Sequence, residues 1–253
     1  MWPKEHGAYG QLLFPLITAL AIGRPTAPAL LLSASALFAF IAHEPLLVSI
    51  GQRGARAARE LRATAGVWFG VAASGAAVCA IAAIAIAPAD VRLALVVPAA
   101  LGATLLAVIL ARREHTGGGE ILTALTLSSL ALPVGLAAGA SPMAATTCAA
   151  VFGAVFVSGT VGVRAVIART RRPPATGLRA GAVLVAVGAL VLLEGIASMG
   201  LGARAAPWAA LPVCLLAVLL AIAPPSAQRL RMVGWALVAT TTASAILLTV
   251  TLR

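Results

Sequence analysis

Two decapeptides carry much of what could do chemistry in this chain. Lys4 to Leu13 reads KEHGAYGQLL and Arg113 to Leu122 reads REHTGGGEIL. Aligned without gaps, each gives a basic residue, Glu, His, three variable residues, Gly, Gln or Glu, an aliphatic residue and Leu. All three histidines have a glutamate beside them: Glu5-His6, His43-Glu44 and Glu114-His115, in a chain with only seven acidic residues. Imidazole exchanges protons near neutral pH, and a carboxylate beside it orients it and stabilises its charged form. The same donors also bind metals, so His6, His43 and His115 are candidate ligands of a divalent metal, Zn or Fe, at a His/Glu set. No known metal motif has this spacing, because the donors come from three separate segments.

A second group is cationic. Arg53, Arg113, Arg164 and Arg169, with Lys4, flank the same segments as the His/Glu pairs. Arginines converging on a cavity are receptors for phosphate or carboxylate, and juxtamembrane basic residues hold anionic lipid. The substrate-binding candidates are therefore Lys4, Glu5, His6, Arg53, Arg113, Glu114, Glu120, Arg164 and Arg169, and the acid or base candidates are His43 and Glu44.

The elements that must position these residues are set by composition. With 61% hydrophobic and 10% charged residues and a mean hydropathy of +1.05, the chain is an integral membrane protein. Nine apolar runs, roughly 8–23, 28–50, 65–87, 90–111, 118–139, 142–163, 178–200, 205–223 and 230–252, approach the ~20 residues that cross a bilayer. Each is expected to be a helix, since lipid supplies no hydrogen-bond partner for the backbone. Small pairs such as Gly66/Gly70, Gly135/Gly139 and Gly177/Gly181 are expected to let helices approach closely. The expected fold is an all-α integral membrane bundle forming one domain over residues 1–253.

The net charge of +11 points to topology rather than to nucleic acid. Fourteen basic residues fall on one side of a nine-helix arrangement and only Arg24, Arg92, Arg204 and Arg253 on the other. The positive-inside rule then places the N-terminus in the cytoplasm and the C-terminus outside. A basic start before an apolar stretch also suits a signal peptide, but the pattern shared with residues 113–122 argues against cleavage. Cys79, Cys148 and Cys214 lie inside expected helices without CxxC spacing and read as packing residues.

The decapeptides start 109 residues apart and enter the first and fifth apolar runs from one side. That predicts a parallel repeat, residues 1–112 against 113–223, with 230–252 as an extra helix. A helix start alone explains Lys4 and Glu5, through the headgroup region and the helix dipole. It does not require His at a common offset with Gly four residues later, so a shared structural or ligand role is an alternative to a plain helix start. His43 lies about 10 Å inside the membrane surface if its helix ends near Gly51, and ionisable groups at such depth face a cavity or a partner. Pro45 is expected to kink or break that helix. Glu194, inside the seventh run, reads as a buried carboxylate with no partner in the sequence.

The segments PKEHGAYGQLLFPL, AHEPLLV and REHTGGGEILTALTLSSLALPVGLAAG resemble the YwiC-like family of bacterial membrane proteins. By position, the resemblance marks Lys4, Glu5, His6, Gly7, His43, Glu44, Arg113, His115 and Glu120. The arrangement of nine helices, with polar motifs at the ends of the second and sixth, is similar to the UbiA superfamily of intramembrane prenyltransferases. That likeness implies a prenyl diphosphate held with Mg²⁺ by aspartate-rich motifs at those two ends. Here His43-Glu44 and Arg164 to Arg169 stand there instead, and the only aspartate is Asp90. The expectation is a UbiA-like membrane enzyme or binding protein for an isoprenoid or anionic lipid, in which arginines take the metal's part. The alternatives are a transporter or permease, and a metal or haem-binding respiratory accessory protein.

Overall fold

A computed structural model describes residues 6–168 and 176–253. Lys4, Glu5, Arg169, Arg171 and Arg172 lie outside the described residues, as does the side chain of His6. All regular structure among the described residues is helical: α1 (His6–Ile22), α2 (Ala27–Ser49), α3 (Ala55–Ile86), α4 (Ala89–Ala94), α5 (Val96–Leu110), α6 (Gly117–Ser129), α7 (Ala131–Ala137), α8 (Pro142–Ala168), α9 (Thr176–Ser198), α10 (Ala206–Ile222) and α11 (Leu230–Leu252).

Among the described residues, seven spans are long and apolar enough to cross a membrane: α2, α3, α4 with α5, α6 with α7, α8, α9 and α11. Helices α1 and α10 are apolar but shorter, at 17 residues each. Two of the apolar runs carry a one-residue break, at Leu95 and Leu130. Proline explains both. Pro98 and Pro133 lack the N–H that Ala94 and Ser129 would receive, and their rings crowd those carbonyls. The break expected at Pro45 does not occur: α2 continues through it to Ser49, where the Ser49 hydroxyl donates to the Pro45 carbonyl at 2.9 Å.

Helix α8 is the most buried of the membrane-length spans, packed against α6, α7, α9 and α10, with Phe152 fully buried and stacked on Phe156 at 5.7 Å. Close approach falls at glycines, though only partly at those expected. Gly162 sits against the Ala217 backbone, where a side chain would meet Cα at 3.1 Å, and Gly135 sits equally close to Ala145. Gly66, Gly70, Gly177 and Gly181 instead face open space, because α3 and α9 present those sides outward. The α1–α2 turn is clamped onto the end of α7 by Arg24 N–H donating to Ala138 O at 2.7 Å and the Thr26 hydroxyl donating to Ala137 O at 2.6 Å. Gly23 has no room for a side chain against that same Ala138 carbonyl.

Helix α3 packs along α2, with Gly75 against the Phe38 ring, and α5 packs on α6. Helices α3 and α5 are not packed extensively against each other. Their outer surfaces, with Val67, Ile81, Val96 and Val97 exposed, are apolar and fit a lipid environment.

Candidate functional site

The space between α3 and α5 belongs to a cavity of about 1530 Å³ lined also by α1, α2, α6, α8 and α11. Lining residues run from Leu32 to Leu46 on α2 and from Phe69 to Ile84 on α3, which at 1.5 Å per residue is a length of about 20 Å. Most of the lining is apolar, including Phe14, Phe40, Leu105, Leu127 and Phe156. The ionisable side chains come from the C-terminal parts of α2 and α8, the turn joining α2 to α3, the segment joining α5 to α6 and the first turn of α6.

The last two turns of α2 present His43 and Glu44. The chain then reverses through Gly51 and Gly54, with φ of 75° and 96°, values that suit residues without a Cβ. This reversal brings Arg53 back on the buried Glu44: Nε donates to Oε1 at 3.0 Å and Nη2 to Oε2 at 2.5 Å. Gln52 fixes the turn to the end of α5 by donating Nε2–H to Ile109 O at 2.6 Å.

Between α5 and α6, Glu114 is buried and His115 exposed. The two Glu114 oxygens face two imidazoles, Oε2 lying 3.2 Å from His43 Nε2 and Oε1 3.2 Å from His115 Nε2. Thr116 caps α6, its hydroxyl oxygen accepting from Gly119 N–H at 3.2 Å. Gly119 packs so closely that a Cβ would lie 2.5 Å from both the Arg113 and Glu114 carbonyl oxygens. One turn into α6, Glu120 Oε2 is 2.8 Å from Arg164 Nη1 of α8, whose guanidinium lies over Gly117.

These pairings assign different chemistry to neighbouring residues. Glu44 has both oxygens bound by one guanidinium, so its charge is neutralised and its lone pairs engaged; it is a fixed anchor. His43 is half-buried at the cavity wall with a buried carboxylate behind one ring nitrogen, the arrangement that lets the other nitrogen exchange a proton. Arg53 and Arg164 each face a glutamate, so an incoming anion meets cations that already have counter-charges. Glu120, about a third exposed, is more readily displaced than the buried Glu44. Among the described residues no three His, Cys, Asp or Glu side chains gather as a metal would require.

The two decapeptides meet at this cavity: Gly7, Ala8, Gly10 and Gln11 line it, as do Glu114, His115 and Glu120. His43, Glu44, Arg53 and Arg164 join them. Arg113 is exposed and is not among the residues lining the cavity. Lys4, Glu5, Arg169 and the His6 side chain, which complete the expected set, lie outside the described residues. The Arg53–Glu44 clamp and the roles of Gln52 and Gly119 escaped the sequence reading. The two glycines just beyond Glu44 were the available signal for the first. Glu194 is not buried, contrary to expectation; it is exposed on α9.

No curated protein and no solved structure matches this chain. The family model described as YwiC-like protein matches residues 2–135. That stretch includes both decapeptides, His43-Glu44 and the Arg53 turn, and more than half of the sequence. The chain accordingly belongs to the YwiC-like family of membrane proteins.

Proposed function

We propose that this protein crosses the bacterial cytoplasmic membrane nine times and holds one amphipathic lipid, an isoprenoid or an anionic lipid, with its head toward the cytoplasm and its chain inside the bundle. The observation that carries the reading is the cavity itself. It runs about 20 Å along the helices, is apolar for most of its length, and ends in the His43, Glu114, Glu120 and Arg164 group. Its volume of about 1530 Å³ exceeds the range usual for drug-sized ligands and suits a long chain. The sparse packing between α3 and α5 provides a route from the bilayer.

In this reading Arg164 exchanges Glu120 for the anionic group of the lipid, while Arg53 stays committed to Glu44. His43, backed by Glu114, is the group that donates or accepts a proton at the bound head. In this reading the site is a UbiA-like one that lacks the aspartates, so binding rather than Mg²⁺-assisted diphosphate ionisation is the activity assigned. The basic residues, concentrated on one side, set the orientation. The two motif-bearing halves form one shared site, as a parallel repeat would.

Labelling with a photoreactive fatty-acid or isoprenoid analogue in membranes, mapped by peptide mass spectrometry, tests the reading. Adducts should concentrate on the cavity-facing residues of α3 and α5, such as Ala73, Ala76 and Leu105. Labelling spread evenly over outward residues such as Val67 and Ile81 would contradict it.

A further inference from the structure

The outer face of α9 is unlike the other lipid-facing surfaces. Gly181, Gly188 and Gly195 recur every seven residues, and Leu184, Val191 and Ser198 recur every seven between them. In heptad terms the glycines are a positions and the others d positions, the seam along which two helices pack side by side. All six lie on the side that this chain leaves uncovered. No atom lies within 4 Å of where a side chain would begin at any of the three glycines, and Leu184 and Val191 are among the most exposed large apolar residues. Small residues at such a seam allow close backbone approach in a membrane.

A carboxylate flanks the seam. Glu194 is exposed one residue before Gly195 and about 6 Å from the end of α9. Neither it nor Arg204, exposed in the α9–α10 connection at the same end of the helix, has an ion-pair partner among the described residues. An acidic side chain on a lipid-facing helix is costly and normally has a partner. The chain itself carries the complementary cation close by.

We propose that the outer face of α9 is a homodimer interface, in which α9 of two copies pack in parallel along the Gly181–Gly188–Gly195 seam and Glu194 of each copy pairs with Arg204 of the other. A two-fold axis along the membrane normal brings the same patch of both copies together and makes both ion pairs at once. The interface is independent of what the cavity holds, since α9 contributes only Leu178 to its described lining.

The test is native mass spectrometry of the full chain released from nanodiscs, over a range of protein-to-lipid ratios. The wild type should be dimeric. Gly188→Leu should weaken the dimer at least tenfold while leaving the monomer folded, because its side chain has open space within one copy. Glu194→Arg and Arg204→Glu should each weaken it, and the double exchange should restore it. A wild type that is monomeric at every ratio, a dimer unaffected by Gly188→Leu, or a double exchange no better than the single variants would overturn the proposal.

Discussion

Arg53 and Glu44 illustrate how the site is held at the scale of single residues. Glu44 is nearly inaccessible and depends on the guanidinium for its charge compensation. Arg53→Ala should destabilise the protein by about 3–5 kcal/mol, because an uncompensated carboxylate would stay buried. Glu44→Gln combined with Arg53→Met should recover much of that loss, as replacing both partners removes the stranded charge. Thermal unfolding in detergent, followed by intrinsic fluorescence, reads both variants; an Arg53→Ala melting temperature equal to wild type would mean that water reaches Glu44. Such pairings were only half legible in the sequence. The scarcity of carboxylates singled out Glu44 and Glu114, but which cation meets which acid depends on the turn through Gly51 and Gly54.

At the scale of elements, the start of α6 decides where Glu114 and His115 sit. Thr116 caps the helix and Gly119 lets its first turn close against the Arg113 and Glu114 carbonyls. Gly119→Ala should therefore cost about 1–3 kcal/mol through overpacking and displace Glu114 from His43. Gly118→Ala, where nothing lies within 4 Å, should be close to neutral. A urea or thermal series on the two variants separates them, and equal effects would refute the close-packing argument. The repeated Gly of the two decapeptides was visible as a pattern, but the close contact at Gly119 was not. Its partner Gly10 has a different environment, touching only the Phe14 ring, so the shared letter does not report a shared contact. Helix existence followed from hydrophobic run length, whereas the breaks at Leu95 and Leu130 required knowing that Pro98 and Pro133 interrupt helices and Pro45 does not.

At the scale of the whole molecule, apolar composition specified a membrane-embedded helical bundle, and segment order brought both decapeptides to one end. What could not be read was the unequal packing of the bundle. Helices α8, α9 and α10 pack against one another, while α2 and α3 stand as a pair apart from α5. That inequality creates the cavity, and it arises from side-chain fit among many alanines and leucines that look alike in sequence. The central claim is that this space holds a lipid chain. The most direct measurement is native mass spectrometry of gently solubilised wild type beside Gly102→Trp, with the released small molecules identified. Gly102 lines the cavity and has open space at its Cβ, so the indole fills the cavity without disturbing helix packing. The account predicts a stoichiometric amphiphile on the wild type and its loss from a folded Gly102→Trp. A wild type without bound amphiphile, or the same species retained at the same occupancy by Gly102→Trp, would contradict it.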